Sequence, residues 1–328
     1  MKITMAHGSG GKATAELIED IFEKSFHNSV LAKMEDSAVV PGAEKIAVTT
    51  DSFVVTPLFF PGGDIGRLSV CGTVNDLLMS GAKPRYLTCG FILEEGADTE
   101  ELKKIAASMA ETASEAGVSI VAGDTKVVEG KGGIYINTAG VGFVPSDVSL
   151  SAASCEEGDV ILLSGNLGDH HAAILSERMN IRNTIQSDCA PLNEMVSALL
   201  ESGVKVKAMR DVTRGGLGTV LNEFAGASSC CMELEETAIP VSAQVRGFCE
   251  ILGLDPLYMG NEGKMTAVVA AGDAQKALAC MKKSRYGENA AIIGTVVSGE
   301  PGTVLLRTPI GGTRIVTVLY GEGLPRIC

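Results

Sequence analysis

Five aspartates stand where a merely solvated carboxylate would be unexpected. Asp36 heads D-S-A-V-V, Asp51 closes the strand-like I-A-V-T-T-D, and Asp76 sits inside the apolar V-N-D-L-L-M. Asp124 follows a strand-like run in V-A-G-D-T-K, and Asp211 follows V-K-A-M-R. Any one of them reads as a cap or a turn residue. Together they suggest convergent hard oxygen donors, the ligands magnesium takes when it also carries phosphate oxygens. The chemistry this pattern points to is a magnesium–nucleotide site.

Four further stretches add reactive or anion-facing groups. H-G-S-G-G-K, comprising His7, Gly8, Ser9, Gly10, Gly11 and Lys12, precedes a helical run, so its free N–H groups and the Lys12 charge suit an anion. A Walker loop would need glycine at Ala6 and Ser or Thr at Ala13. As a dinucleotide fingerprint, Gly8-x-Gly10-x-x-Ala13 follows strand-like Lys2–Met5 but lacks the acid expected about 20 residues on. A plain glycine loop and a phosphate cradle are equal readings here. D-V-T-R-G-G-L-G, Asp211 to Gly218, reads evenly as a βα turn or as a helix start with Arg214 at an anion. N-E-G-K, Asn261 to Lys264, is a turn before a strand, and Glu262 becomes a candidate general base if it faces a cavity. Cys328, in G-E-G-L-P-R-I-C, is either part of a frayed end or a reactive thiol on a tether.

The elements that must position these groups are mixed. Strand-like runs 45–50, 85–93 and 134–144 alternate with helical runs 12–26, 64–80 and 99–116. A Ser- and Asp-rich segment, 145–159, separates this half from a second with strand-like runs 160–164 and 264–271 and helical runs 168–179, 190–201, 216–225 and 274–283. The expectation is two α/β domains, 1–150 and 151–320, with a mobile tail, 321–328, carrying Cys328.

Composition narrows the function classes. A chain of 328 residues with 45 % hydrophobic content can bury two cores, and its formal charge of −13 opposes nucleic-acid binding. No apolar leader or membrane-length run is present, so a soluble, cytoplasmic protein is expected. Nine scattered cysteines without a C-x-x-C pair give neither a disulfide framework nor a zinc site.

Taken in order, H-G-S-G-G-K, T-T-D, N-D-L-L-M-S-G-A, G-D-T-K, D-V-T-R-G-G-L, N-E-G-K and P-R-I-C resemble the HypE family of hydrogenase maturation factors. These are carbamoyl dehydratases in the superfamily of aminoimidazole ribonucleotide synthetase and selenophosphate synthetase. The likeness runs from His7 to Cys328, and P-R-I-C makes the narrower assignment. Selenophosphate synthetases carry Cys or selenocysteine in the glycine loop, where this chain has Ser9 and Gly10. That enzyme, another ATP-dependent synthetase, and a non-catalytic thiol carrier are the rival readings.

The resemblance implies a two-domain α/β (α+β) synthetase-like fold whose N-terminal sheet pairs in a homodimer. It implies ATP and Mg2+ as cofactors, with Asp36, Asp51, Asp76 and Asp211 as metal and phosphate ligands and Asp124 in the nucleotide pocket. Residues His7 to Lys12 would close over the phosphates. Cys328 would receive a carbamoyl group from the carbamoyltransferase HypF, and Lys126 and Glu262 would orient and deprotonate it during dehydration to a thiocyanate. The product would pass to the HypC–HypD complex. From Gly321 such a tail reaches at most roughly 26–29 Å.

Overall fold

The computed structural model describes residues 1–9, 11–33 and 37–319; Gly10, Asp36 and Cys328 lie outside the described residues. Two sheets organise the chain. The first has four strands in the order Ile46–Phe53, Ile134–Phe143, Lys83–Glu94, Ser119–Val128. Only its last pair is parallel. Along Lys83–Glu94 and Ile134–Phe143 buried residues alternate with exposed or half-buried ones, because helices cover a single face of this sheet.

Those helices form where their sequences direct. In Thr99–Ala116, Leu102, Ile105, Ala106, Met109 and Ala113 share the buried face. Asp98 caps the helix by accepting from the Glu100 N–H at 2.9 Å, and Gly117 at φ +68° ends it. Helix Ile65–Met79 begins at Asp64, whose carboxylate accepts from the N–H groups of Gly66 and Arg67 at 2.7 and 3.1 Å. It is buried on nearly every side, Ser69, Thr73 and Asn75 included, because the first sheet, helix Thr99–Ala116 and the second domain all pack on it.

The second sheet has seven strands, in the order Thr313–Ile315, Thr303–Arg307, Cys231–Glu235, Ala291–Val297, Val160–Leu163, Met265–Val269, Val206–Asp211. Every pairing is antiparallel except that of Thr303–Arg307 with Cys231–Glu235. Val160–Leu163 and Met265–Val269 are buried at every position, which their unbroken apolar runs require. One hydrophobic core continues from the first sheet into the second domain, and another lines the opposite side of the seven-stranded sheet.

Three expectations need correction. Lys2–Met5 is not a strand: Lys2 makes an isolated bridge to Asp98 and Met5–Gly8 is a 3-10 turn, so the dinucleotide fingerprint loses its strand. Asp51 lies within Ile46–Phe53 and Asp124 within Ser119–Val128, not beyond strand ends. With sheets this antiparallel, convergence at the C-terminal edge of a parallel sheet cannot gather the carboxylates, and a junction between domains does so instead. Among the described residues no helix is long and apolar enough to cross a membrane.

Candidate functional site

Asp51, Asp76 and Asp211 meet where the two domains join. Asp51 comes from the first sheet, Asp76 from helix Ile65–Met79 and Asp211 from the end of a second-sheet strand. Thr49 Oγ1 donates to Asp76 Oδ2 at 2.8 Å, fixing that carboxylate against the sheet. Gly72 lets the Phe53 ring pack on the same helix, since a Cβ there would come within 2.9 Å of it, and Asp51 Oδ2 lies 3.6 Å from that position. Asp76 and Asp211, with Thr49 and Arg210, line a cleft of about 500 Å³.

Burial and mutual repulsion set the electrostatics of this group. Burial pushes Asp211 up to about 7, and the Asp76 and Asp51 charges push the same way. Burial also raises Asp76, with the Asp51 charge adding to it, and raises Asp51 against the nearby Arg214. Glu262 is raised well above the ordinary carboxylate range by burial, then by Asp188, Asp211 and Asp51. A divalent cation would relieve these mutual repulsions. Among the described residues, no three His, Cys, Asp or Glu side chains stand close enough to enclose a metal ion by themselves. The carboxylate oxygens of Asp51, Asp76 and Asp211 are hard donors of the kind magnesium takes beside water and phosphate oxygens.

A second group of expected residues gathers elsewhere. Asp124 and Lys126 lie on the edge strand Ser119–Val128, exposed and paired at 2.5 and 2.6 Å. That pairing holds Asp124 below its usual range. Gly8 rests on this strand so closely that a Cβ would come within 2.8 Å of Val127. Gly8, Asp124 and Lys126 line one cavity of about 330 Å³ with Phe22, Phe26 and Phe91.

Within the glycine loop, His7 is turned inward, its Nδ1 accepting from the Thr4 N–H at 3.0 Å. Ser9 Oγ donates to the Ala6 carbonyl at 2.9 Å, and Lys12 is exposed beside Glu16 at 3.5 Å. Gly11 precedes the helix that starts at Lys12. The eight described cysteines are free thiols, six buried and two half-buried, which makes them packing residues.

Sequence reasoning missed the supports of Glu262. Asn261 is fully buried: its Oδ1 accepts from the Gly168 N–H at 2.8 Å and its Nδ2 donates to the Val212 and Met259 carbonyls, each at 2.9 Å. Asp188 accepts from the backbone of the same turn. Nothing in S-D-C-A-P signals this, because its partners lie more than 70 residues away in the chain.

Comparison with known proteins gives a consistent result. Residues 34–144 match the N-terminal domain, and residues 156–307 the C-terminal domain, of the AIR synthase related proteins. The chain is 50 % identical over 333 residues to carbamoyl dehydratase HypE of Cupriavidus necator, spanning 100 % of this chain and 95 % of that one. It is 47 % identical over 337 residues to carbamoyl dehydratase HypE of Escherichia coli, spanning 99 % of each. A crystal structure of hydrogenase maturation protein HypE in complex with ATP superposes with a TM-score of 0.96 at 46 % identity, covering 99 % of both chains. A HypE–HypF complex gives 0.81 at 47 % identity, covering 92 % of this chain and 99 % of that one. Thiamine-monophosphate kinase from Stenotrophomonas maltophilia, at 20 % identity and a TM-score of 0.69, shares the fold alone.

Proposed function

This chain belongs to the carbamoyl dehydratase HypE family, built from AIR synthase related domains, and from that premise we propose that it uses ATP to dehydrate a carboxamide on Cys328 to a thiocyanate. The product is the cyanide source for the iron of a nickel–iron hydrogenase. The observation that carries this reading at the site is the joining of Asp51, Asp76 and Asp211 beside Glu262, all four with raised proton affinity.

A primary amide loses water poorly because hydroxide is a poor leaving group. Attack of the carboxamide oxygen on the γ-phosphorus of ATP releases ADP, and the oxygen then leaves as part of phosphate when the C–O bond breaks. Both N–H protons are lost as the C≡N bond forms. Carboxamide and ATP thus give thiocyanate, ADP, phosphate and one proton. Glu262 is the base for the nitrogen protons, its proton affinity raised by burial and by the neighbouring carboxylates. Lys126 orients the carboxamide, and residues His7 to Lys12 and Asp124 border the nucleotide.

Asp51, Asp76 and Asp211 would hold Mg2+, with Asp36 as a ligand assigned by family likeness alone. When bound, the ion neutralises charge on the phosphates. Every other role above belongs to side chains of this protein.

The expected site residues form two groups at opposite edges of the first sheet, and a homodimer would reunite them. Ile46, Val48, Ile92 and Val128 lie exposed on the sheet face that no helix covers. A second copy seated there buries this apolar surface and sets Ser119–Val128 of one protomer near Ile46–Phe53 of the other. By family likeness HypF donates the carbamoyl group and the HypC–HypD complex receives the cyanide.

The deciding experiment is intact-mass analysis of the wild type and of Cys328→Ala after incubation with carbamoyl phosphate, ATP, magnesium and an active carbamoyltransferase. A carbamoyl adduct on Cys328 that loses one water only with hydrolysable ATP is the expected result. An adduct that never dehydrates leaves a thiol carrier, and no adduct at all removes Cys328 from the reaction.

A further inference from the structure

Asp188 does more than close a loop. Its Oδ1 accepts from the Glu262 N–H at 3.2 Å and its Oδ2 from the Gly263 N–H at 3.3 Å, while Lys264 Nζ stands 3.4 Å from Oδ2. One carboxylate therefore spans three consecutive residues of the N-E-G-K turn, with its side chain only 3 % exposed. The backbone behind it is equally close: a Cβ on Gly263 would come within 2.0 Å of the Asp188 carbonyl oxygen and 2.9 Å of Ala190 N. Only glycine tolerates that approach.

The segment carrying Asp188 is itself fixed from the other domain. Arg67 Nε donates to the Cys189 carbonyl at 2.8 Å, Asn75 Nδ2 to the Ala190 carbonyl at 3.0 Å, and the Leu192 N–H to Asn75 Oδ1 at 2.9 Å. Arg67, Cys71 and Asn75 recur at four-residue spacing on helix Ile65–Met79, so one stripe of that helix faces the segment. The Cys189 thiol neighbours Cys71 in the same stripe, which with burial raises its proton affinity. Asp76, next in sequence to Asn75, belongs to the same helix. A continuous chain of contacts thus runs from the helix bearing Asp76, through residues 188–192, to the turn bearing Glu262.

We propose that Asp188 is a positioning residue for the dehydration: it clamps the Glu262–Lys264 turn so that the Glu262 carboxyl is held at a fixed place and angle relative to Asp76 and Asp211. The inference rests on the reading of Glu262 as the base. It has independent support in geometry, because a buried carboxylate that accepts two backbone N–H bonds and faces an ammonium is a second layer of support of the kind that fixes reacting groups. Charged and titratable groups facing Glu262 include Asp188, Asp211, Asp51 and Cys71, and Asp188 is the largest electrostatic influence among these four.

The test uses full-length protein carbamoylated on Cys328 by an active carbamoyltransferase, and follows thiocyanate formation in a single turnover with ATP and magnesium. Asp188→Ala, Asp188→Asn and Glu262→Gln are compared with the wild type for rate, ATP affinity and thermal midpoint. A misplacement on the scale of 1 Å costs roughly 100-fold in rate, so the alanine variant should fall by about that factor while ATP affinity stays within about twofold. The asparagine variant keeps the shape and one acceptor, and should recover part of the loss. An inactive Glu262→Gln beside a folded Asp188→Ala of wild-type rate overturns the positioning role and leaves the base intact. An active Glu262→Gln overturns the base reading itself. Should the alanine variant not fold, the asparagine variant decides alone: a reduced rate with intact ATP binding supports the clamp, and an unchanged rate ends it.

Discussion

Asp51 and Asp124 stand on the two opposite edge strands of one four-stranded sheet, one residue out of register. Asp51 pairs with Thr138, Thr138 with Cys89 and Cys89 with Gly123, so three strand spacings separate them. At ~4.8 Å each this is roughly 14 Å. A single chain therefore divides its expected site residues, and the proposed dimer would join them. Mixing Asp51→Asn protein with Lys126→Ala protein, each inactive alone, should restore about a quarter of wild-type dehydratase activity, because half the random dimers then contain one intact site. Activity that stays at zero after verified subunit exchange would place both residues of each site in one chain.

Asp211→Asn tests the metal reading. Its carboxyl is pushed up to about 7 chiefly by burial and then by Asp76, and a bound cation would favour its ionised form. The variant should weaken magnesium-dependent ATP binding by at least about tenfold in calorimetry, with little change in binding measured without magnesium. Equal losses with and without the metal would assign Asp211 to the nucleotide alone.

Glu262→Gln should leave ATP binding within about twofold and abolish thiocyanate formation, since the amide keeps the side chain's shape but cannot take the nitrogen proton. Turnover at the wild-type rate removes Glu262 from the mechanism.

Asn261 supports the same turn structurally. Replacing it with alanine strands two buried groups, the Gly168 N–H and the Met259 carbonyl, while the Val212 carbonyl keeps the backbone N–H of residue 261 at 3.0 Å. The cost should be about 3 kcal/mol or more in urea denaturation, and a variant as stable as wild type would show that water or rearrangement satisfies them.

Two adjacent histidines contribute stability that acid removes. Burial holds His170 and His171 at about 4, against 6.5 for an ordinary imidazole. A depressed histidine favours the folded state fully above about 6.5, and that contribution is lost as pH falls toward 4, about 3 kcal/mol for each. Asp169, raised to about 6 by burial and then by the Asp188 charge, acts in the opposite direction, losing stability as pH rises from 3.8. Asp211, raised to about 7, and Glu262, raised well above the carboxylate range, act in that same opposing direction, so the histidine contribution shows as a difference between variant and wild type. The urea midpoint of His170→Gln should rise relative to that of the wild type as pH falls from 6.5 to 4.5, and a constant difference between the two would exclude His170 as a source.

Much of this protein is written in local pattern. Helix Thr99–Ala116 was legible to the residue because its apolar spacing, Asp98 cap and Gly117 stop all act within a few positions. The apolar runs Val160–Leu163 and Met265–Val269 marked buried strands, and the ordered motifs from His7 to Cys328 carried the family likeness. What the pattern could not contain is adjacency between distant segments. Strand order placed Asp51 and Asp124 at opposite edges, antiparallel pairing moved the acidic cluster to a domain junction, and Asp188 met the Glu262 turn across more than 70 residues. Periodicity and capping depend on neighbours along the chain, whereas the proton affinity of a buried carboxylate depends on which charges folding brings beside it.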